Sequence, residues 1–447
     1  MKKDKDLLDK VTDLVKRAQV AGADSADAIY VEGISLSMAC RKGELESLAR
    51  SEGMDLGLRV FVGNRQAMVS SSDFSNSALN SLVERAIAMA RVVPEDEFCG
   101  IAPETLLARE TQELENFDSV EPTKEDLEER ALIAEESALE VPGVSNSEGA
   151  EANWSQSFAA LAASNGFASC RRGSSHSTSV SVLAGEGTSM ERDYDFSVSV
   201  YGEDLEKSEV LGKSAGEKAV SRLNPRKVKT SKVPVIFDPR VSNSLLSHLS
   251  NAINGVAVAR GTTFLKDKIG QKIFASGVTV CDDPLKERGL RSRTFDAEGV
   301  ATQKRNLIED GVLKSWVLDL RSGRQLGLET TGHASRGTSS APSPSTTNLY
   351  MEPGSLSSIE LIKTVENGFY VTEMIGMGVD GVTGDYSRGA SGYWVENGAL
   401  GFPVSEMTIA GNLNDIFMNL IAADDLSFRF SVNCPTLRVD GLTVAGI

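Results

Sequence analysis

The sequence predicts an α+β protein with mostly antiparallel sheets, and two patterns support this prediction. In the N-terminal half, apolar residues recur at helical spacing and then alternate with polar ones, and this succession occurs twice. Beyond residue 233, short apolar segments are separated by glycines, which is typical of a β-rich domain. The 447 residues are enough for two or three domains with real cores.

The first unit reads as helix, strands, helix. Apolar residues at helical spacing predict helices over 7–18 and 79–90. Between them, alternating residues in 34–40 and 56–62 predict half-buried strands. We therefore expect residues 1–95 to form an N-terminal α+β domain.

The second unit has the same outline. Residues 96–122 are rich in Pro, Glu and Asp and predict a linker. Helices are predicted over 123–140 and at about 205–222, with strands between them around 158–161, 177–183 and 196–200. We expect a central α+β domain over 123–226. Gly63-Asn64 and Asn165-Gly166 predict turns between strands.

The third unit, residues 233–447, is predicted to be a β-rich C-terminal domain. It begins with a strand at 233–237 and a helix at about 240–258, and residues 329–348 read as a long surface loop. Further strands are predicted at 277–280, 303–308, 312–319, 369–374, 392–395 and 436–446.

Composition excludes several classes of protein. The net charge of −17 disfavours an extended nucleic-acid surface, because phosphate binding needs clustered Lys and Arg. No apolar run approaches a membrane span, and the charged N-terminus lacks the apolar core of a signal peptide, so we expect a cytoplasmic protein without a membrane partner. The five cysteines form no CxxC pair and predict free thiols.

Short motifs give little support to nucleotide, serine or zinc chemistry. Residues 376–381 match GxGxxG, but no apolar helical stripe follows, which favours a glycine-rich β-loop. The three histidines, His176, His248 and His333, are far apart, and the sequence contains neither HExxH nor GxSxG. His248 lies at the edge of the apolar face of a predicted helix.

Residues 384–394 place polar, aromatic and charged side chains among glycines. A loop of this kind either binds a partner or forms an irregular β-corner, and the sequence leaves both readings open. The candidate peptide-binding or partner-binding residues of this predicted loop are Asp385, Tyr386, Ser387, Arg388, Tyr393 and Trp394.

At this segment, which continues as GVTGDYSRGASGYWVENGALGFPVSEMTIAGNLNDIF, the chain resembles the PmbA/TldE branch of the TldD/PmbA family, once called modulators of DNA gyrase. The resemblance covers the chain in order. It includes ESLARSEGMDLGLRVFVGNRQAMVSSSD, MERDYDFSVSV, SRLNPRK, TFLKDKIGQKI, TFDAEGV and GLETTGHASRG.

The resemblance implies a three-part chain and a heterodimeric zinc peptidase. In this family a TldD-type subunit and a TldE-type subunit act together on unfolded or extended peptides in the cytoplasm, including precursor leaders and antitoxins. The TldD branch carries His-Glu-x-x-x-His on a helix of the C-terminal domain and a cysteine ligand near the C-terminus.

This chain departs from that motif at the positions that matter for chemistry. His248 keeps the first ligand position, whereas Leu249 and Ile253 replace the general base and the second ligand. Cys434 is out of register with the ligand cysteine. We therefore expect no zinc in this chain, zinc in a TldD-type partner, and a non-catalytic TldE/PmbA-type role. Whether the chain alone forms a homodimer stays open, although paralogous subunits often share an interface geometry.

Two alternatives stay open at this point. The chain is a metallopeptidase in its own right, with His248, His333 and Cys434 as the residues to substitute, or it is a binding protein that modulates DNA gyrase. The acidic charge gives the second alternative weak support, because it resembles that of nucleic acid.

Overall fold

The computed structural model describes residues 2–109 and 112–446. Its N-terminal half contains, in chain order, α1 (Lys2–Val20), β1 (Ser25–Arg41), β2 (Glu44–Val62), β3 (Arg65–Ser71), α2 (Asn76–Ala90), α3 (Lys124–Leu139), β4 (Val144–Ala163), β5 (Ala168–Ala184), β6 (Glu191–Ser199) and α4 (Ser208–Ser221). The six strands form one antiparallel sheet in the order β3-β2-β1-β4-β5-β6. The α+β prediction is confirmed.

The helices form where apolar periodicity and capping coincide. The stripe Val11, Leu14, Val15 and Ala18 of α1 is buried, as predicted. The Ser75 side chain accepts a hydrogen bond from the first turn of α2, and Thr123 caps α3 through a reciprocal box with Asp126. The predicted turns are confirmed too, since Gly63 and Gly166 adopt positive φ values of 54° and 92° between paired strands.

The two faces of the sheet differ in character. Even-numbered residues such as Ala28, Tyr30 and Met38 pack beneath the four helices. The odd-numbered residues of the opposite face are mostly small or hydroxylated, because glycine and serine occupy many of these positions. Examples across neighbouring strands are Gly33, Ser35, Gly53, Ser155, Ser157, Gly173 and Ser175.

The two units share this sheet through β1 and β4. These strands pair from Asp27 with Ala163 to Cys40 with Ala150. Strands from residues 1–95 and 123–226 therefore build one hydrophobic layer, and the assignment of separate domain boundaries stays a prediction. On its other side, β1 pairs with β2. The outer edge of β2 pairs with β3 over residues 56–62 only, so this edge is exposed over residues 44–54.

The C-terminal half contains a closed barrel. Its elements are β7 (Ser231–Phe237), α5 (Pro239–Ala252), α6 (Gly255–Arg260), β8 (Val280–Asp282), β9 (Arg305–Glu309), β10 (Val312–Leu313), α7 (Leu320–Gln325), β11 (Ala334–Ser335), β12 (Ser343–Pro344), β13 (Leu349–Met351), α8 (Ser358–Lys363), β14 (Asn367–Ile375), β15 (Asp385–Glu396), β16 (Ala399–Asn412), α9 (Leu413–Met418), β17 (Leu420–Ala422), β18 (Val432–Asn433) and β19 (Leu437–Ala445).

The barrel strands follow the order β16-β15-β14-β7-β19, and pairing between β16 and β19 closes the ring. A separate sheet has the order β10-β9-β8-β13-β18. The apolar face of α5 packs into the core that both sheets share.

Some sequence predictions for this half are wrong in detail. The predicted helix 240–258 is two helices, because the Asn254 side chain caps a new helix that starts at Gly255, by accepting a hydrogen bond from the Val256 backbone N–H. The predicted strand 312–319 ends at Leu313, and α7 follows from a capping box between Asp319 and Ser322. Helices α8 and α9 were not predicted, since each is only six residues long.

The predicted surface loop 329–348 is partly buried. His333, Thr347 and Asn348 are each at most 2 % exposed. Asp282 accepts hydrogen bonds from the Thr347 backbone N–H at 2.7 Å and its hydroxyl at 2.6 Å. Polar, turn-rich sequence is stable inside the protein here because buried groups such as those of Thr347 are hydrogen-bonded.

The two halves meet in a junction with apolar and ionic parts. Phe167 and Phe295 pack edge to face at 5.2 Å beside Ile29. Segment 96–109 runs along the junction, where Arg324 donates to the backbone carbonyls of Phe98 and Ile101. We call Asp27, Arg59, Glu298 and Arg336, whose side chains are 3–4 % exposed, the junction cluster.

The cysteines and the helices test two further predictions, which concern disulfides and membrane spans. All five cysteines are free thiols, as expected. Within residues 2–109 and 112–446, every helix is too short or too polar to cross a membrane.

Candidate functional site

Helix α5 positions His248, the residue that the sequence connects with metal chemistry. Asp238 caps its N-terminus and Pro239 occupies the first turn, so the helix starts directly after β7. Val241, Leu245 and Leu249 lie on its buried face, and His248 is half-buried beside them.

The surroundings of His248 come from β14 and β15. The ring of Tyr386 lies 6.0 Å from the imidazole at 79°, and its hydroxyl donates to the Met374 sulfur at 3.4 Å. His248 Nε2 and Arg388 Nε have no hydrogen-bond partner among the described residues. Burial, and secondly the positive charge of Arg388, lower the pKa of His248 to about 4, so the imidazole is neutral near pH 7.

The neighbouring motif positions do not fit a zinc ion. Leu249 and Ile253 are fully buried in the hydrophobic core and offer neither charge nor lone pair. A catalytic zinc needs three protein ligands. The guanidinium of Arg388 also opposes a cation beside His248.

The other residues proposed for an independent peptidase lie elsewhere. His333 Nδ1 is 2.8 Å from the Thr331 hydroxyl, and its Nε2 is 3.1 Å from Asp282 Oδ2. Ser242 donates to the Cys434 carbonyl at 3.3 Å, and burial raises the pKa of the Cys434 thiol. Ser242 precedes His248 by six residues, or about 9 Å along the helix. The described residues contain no group of three His, Cys, Asp or Glu able to hold a metal.

The candidate loop 384–394 is a strand, and its description as a loop is wrong. Residues 385–396 form β15, which pairs with β14 and β16 on its two sides. Glycines are needed because the backbones approach closely: a Cβ on Gly392 would lie 1.9 Å from the Tyr370 carbonyl oxygen. The glycines of this segment therefore reflect a tight barrel strand, and the binding of a peptide or partner by its polar side chains stays a prediction.

The strand separates the candidate residues. Tyr386 and Arg388 lie with His248, whereas Asp385 and Ser387 are exposed. Asp385 accepts hydrogen bonds from Thr383 at 2.8 Å and Asn412 at 3.0 Å. Tyr393 Oη is 2.5 Å from the Ser221 hydroxyl of α4, which connects the two halves, and Trp394 packs on the core.

A cleft of about 1000 Å³ between the two halves was missed by the sequence analysis. Its walls are the small-residue face of the sheet and loops of the C-terminal half. Arginines line it, namely Arg171, Arg172, Arg291, Arg293 and Arg336. The only sequence signal is that these arginines occur in Arg-Arg, Arg-Ser-Arg and Ser-Arg-Gly groups beside small residues.

Comparison with known proteins gives a consistent result over the whole chain. Three family models match: PmbA/TldA metallopeptidase domain 1 over residues 26–90, the central domain over 117–223, and the C-terminal domain over 230–446. Metalloprotease PmbA of Escherichia coli O157:H7 is 36% identical over 426 residues, covering 95% of this chain and 93% of that protein.

Haemophilus influenzae contains two relatives. Its Metalloprotease PmbA homolog is 35% identical over 445 residues, covering 99% of this chain and 97% of that protein. Its Metalloprotease TldD homolog is 27% identical over 255 residues, covering 53% of each chain. The organism thus encodes both branches.

Solved structures have the same fold. The crystal structure of a candidate modulator of DNA gyrase from Bacteroides thetaiotaomicron superposes with a TM-score of 0.91, at 27% identity and 98% coverage of both chains. TldE from Thermococcus kodakarensis gives 0.89, at 22% identity, covering 98% of this chain and 100% of the other.

Proposed function

This chain belongs to the PmbA/TldD metallopeptidase family, and on that premise we propose that it is the non-catalytic, TldE/PmbA-type subunit of a zinc peptidase. A TldD-type paralogue carries the zinc in this proposal. The assembled pair cleaves unfolded or extended peptides in the cytoplasm, and this chain binds the partner and holds part of the substrate.

The observation that carries the proposal is the environment of His248. A peptidase of this kind needs a metal to activate water and a base to accept its proton. Here Leu249 and Ile253 occupy the other positions of the motif inside the core, and Arg388 contributes a positive charge. A chain that keeps the family fold but lacks these groups fits a partner role.

The exposed edge of β2 supports a role in holding extended chains. An unpaired edge presents a row of backbone N–H and C=O groups, which bind another strand with little regard to its sequence. The edge spans residues 44–54, whereas β15 is paired on both sides and offers no such row. We therefore assign backbone pairing to β2.

The first experiment mixes this chain with the TldD-type subunit of the same organism. We expect a stable complex by light scattering, and cleavage of a quenched fluorescent unstructured peptide by the complex only. Elemental analysis should find zinc in the partner and well under one zinc per molecule of this chain. Absence of both complex and cleavage would refute the proposal.

Matched variants test which chain carries the chemistry. His248→Ala in this chain should leave the cleavage rate of the complex unchanged, whereas alanine at the first motif histidine of the TldD-type partner should abolish it. If His248→Ala abolishes cleavage while the complex remains intact, this chain takes part in the chemistry. The alternative of binding DNA gyrase stays a prediction, tested by salt-sensitive binding to gyrase.

A further inference from the structure

The cleft between the two halves combines a small-residue wall with concentrated positive charge. One wall is the sheet face that carries Ser155, Ser157 and Ser175, and the other consists of loop residues 289–293, 335–338 and 345–347. The cleft begins at Gly53–Asp55, close to the end of the exposed edge of β2.

The charge in this cleft is unlike that of the whole chain. Among the described residues, five arginines line the cleft against one carboxylate, Asp55, in a protein of net charge −17. Arg172 pairs with Asp4 at 2.6 Å, and Arg336 pairs with Asp27 at 2.6 Å. The three others, Arg171, Arg291 and Arg293, have no ion pair within 4.0 Å among the described residues, and we call them the cleft arginines.

The buried carboxylates nearest to the cleft arginines already accept hydrogen bonds from other groups. Asp296 accepts hydrogen bonds from three backbone N–H groups, of Glu298, Val300 and Ala334, at 2.9–3.0 Å. Asp282 is held by Thr347 and His333. Burial, followed by the charge of Arg293, lowers the pKa of Arg171 to about 10, although Asp296 opposes this shift.

Several guanidinium N–H groups of the cleft have no acceptor. Arg293 is 9 % exposed, and its Nε lacks a hydrogen-bond partner among the described residues. The Arg336 side chain is 3 % exposed, and both its Nε and its Nη2 lack one. Buried donors without acceptors are costly, and both side chains also line the cleft, so an anionic group bound there would lower this cost.

We propose that this cleft binds carboxylate groups of an acidic, extended peptide. The inference rests on the proposed function and specifies its substrate class. A guanidinium forms two parallel hydrogen bonds with one carboxylate, and the serine hydroxyls of the wall can serve the peptide backbone. The single aromatic ring of the lining, Phe158, is only 5 % exposed, so the described lining offers no platform on which nucleic-acid bases could stack.

The test compares two labelled unstructured peptides that differ only in having four Glu or four Gln residues. Binding is measured by fluorescence anisotropy with this chain alone and with its complex with the TldD-type subunit. We expect the Glu peptide to bind at least about tenfold more tightly, because each charge-assisted hydrogen bond adds affinity. Added salt should weaken this preference.

Charge variants then locate the site. Arg171→Gln/Arg291→Gln should remove most of the preference, and Arg291→Glu, at an exposed position, provides a variant with little risk to folding. Arg260→Gln, on an exposed arginine outside the lining, makes the same charge change and should bind as wild type does.

The outcomes separate this inference from the proposed function. Equal binding of both peptides, or unchanged preference in the cleft variants, overturns the inference and leaves the proposed function standing. Failure of both peptides to bind the chain and the complex, with no cleavage, overturns both. Displacement of the Glu peptide by an oligo-dT strand that binds more tightly would identify nucleic acid as the ligand and refute an acidic peptide.

Discussion

Two groups of arginines near the junction of the two halves have opposite relations to carboxylates. In the junction cluster, Arg59 donates to Asp27 at 2.9 Å and lies 3.6 Å from Glu298, while Arg336 pairs with the other oxygen of Asp27. The cleft arginines have no such partners within the part of the chain that the structure describes. The difference teaches that arginines serve two purposes at this junction. Those paired with Asp27 connect the halves, and those without a carboxylate partner are the ones that we assign to ligand binding.

Removing the shared carboxylate should have the largest effect. Asp27→Asn leaves two buried guanidiniums without their closest anion, and breaking such a pair typically costs about 3–5 kcal/mol. We expect a loss of this size in the free energy of unfolding, measured with urea. A loss below about 1 kcal/mol would mean that the junction cluster contributes little.

The second-largest effect should be a pH dependence of the free energy of unfolding, caused by Glu298 of the junction cluster. Burial raises the pKa of Glu298 to about 8, above its ordinary value of 4.5, although Arg59 opposes this shift. Since the folded state then holds a proton that the unfolded state releases, stability from this group falls as the pH rises from about 4.5 to 8. We expect a decline of at least about 1.4 kcal/mol, the equivalent of one pKa unit.

Glu298→Gln is the matched variant for this pH dependence. It cannot titrate, so the difference between its unfolding curve and that of the wild type isolates the contribution of Glu298. Parallel curves for the two proteins from pH 5 to 8.5 would show that Glu298 titrates normally.

Arg388 is a third kind of arginine in this protein, because its positive charge acts on the nearby His248. Arg388→Gln removes the second cause that lowers the pKa of His248, after burial, so we expect a rise smaller than the total shift from 6.5 to about 4. With three histidines in the chain, NMR titration can resolve the signal, and His248→Ala assigns it. No change would place the Arg388 charge too far away to act.

The smallest effect on stability should come from the cleft. Arg291 is exposed, and we expect Arg291→Gln to change the free energy of unfolding by less than about 0.5 kcal/mol. Its effect should appear in the binding of the Glu peptide instead. A large loss of stability would assign Arg291 to the structure of the junction and not to a ligand.

The sequence predicts local features well and long-range assembly poorly. The stripe at Val11, Leu14 and Ala18 specifies a helix by itself, as Gly63-Asn64 specifies a turn. Barrel assembly depends on β7 pairing with strands that begin at Asn367 and Leu437, and no local pattern encodes those partners. The glycines of β15 were mistaken for a loop for the same reason, because what they accommodate is a neighbouring strand.

In the candidate site, too, single residues could be predicted from the sequence, whereas their assembly in space could not. His248 was found through resemblance to a motif, and its neighbours Tyr386 and Arg388 were named without knowledge that they meet it. The cleft was missed because Arg171, Arg291 and Arg293 come from both halves and converge only in the folded junction. In addition, the net charge of −17 gives no sign of a local group of arginines.

The pairing of β1 with β4 has a consequence for biosynthesis. During translation, β1 emerges from the ribosome long before β4, whose last residue follows Arg41 by about 120 positions, or roughly 6–24 s at ordinary elongation rates. For that interval one edge of β1 has no partner, and the backbone N–H and C=O groups along this edge are unpaired. The nascent chain is therefore most exposed to mispairing, and to capture by chaperones, before residue 163 leaves the exit tunnel.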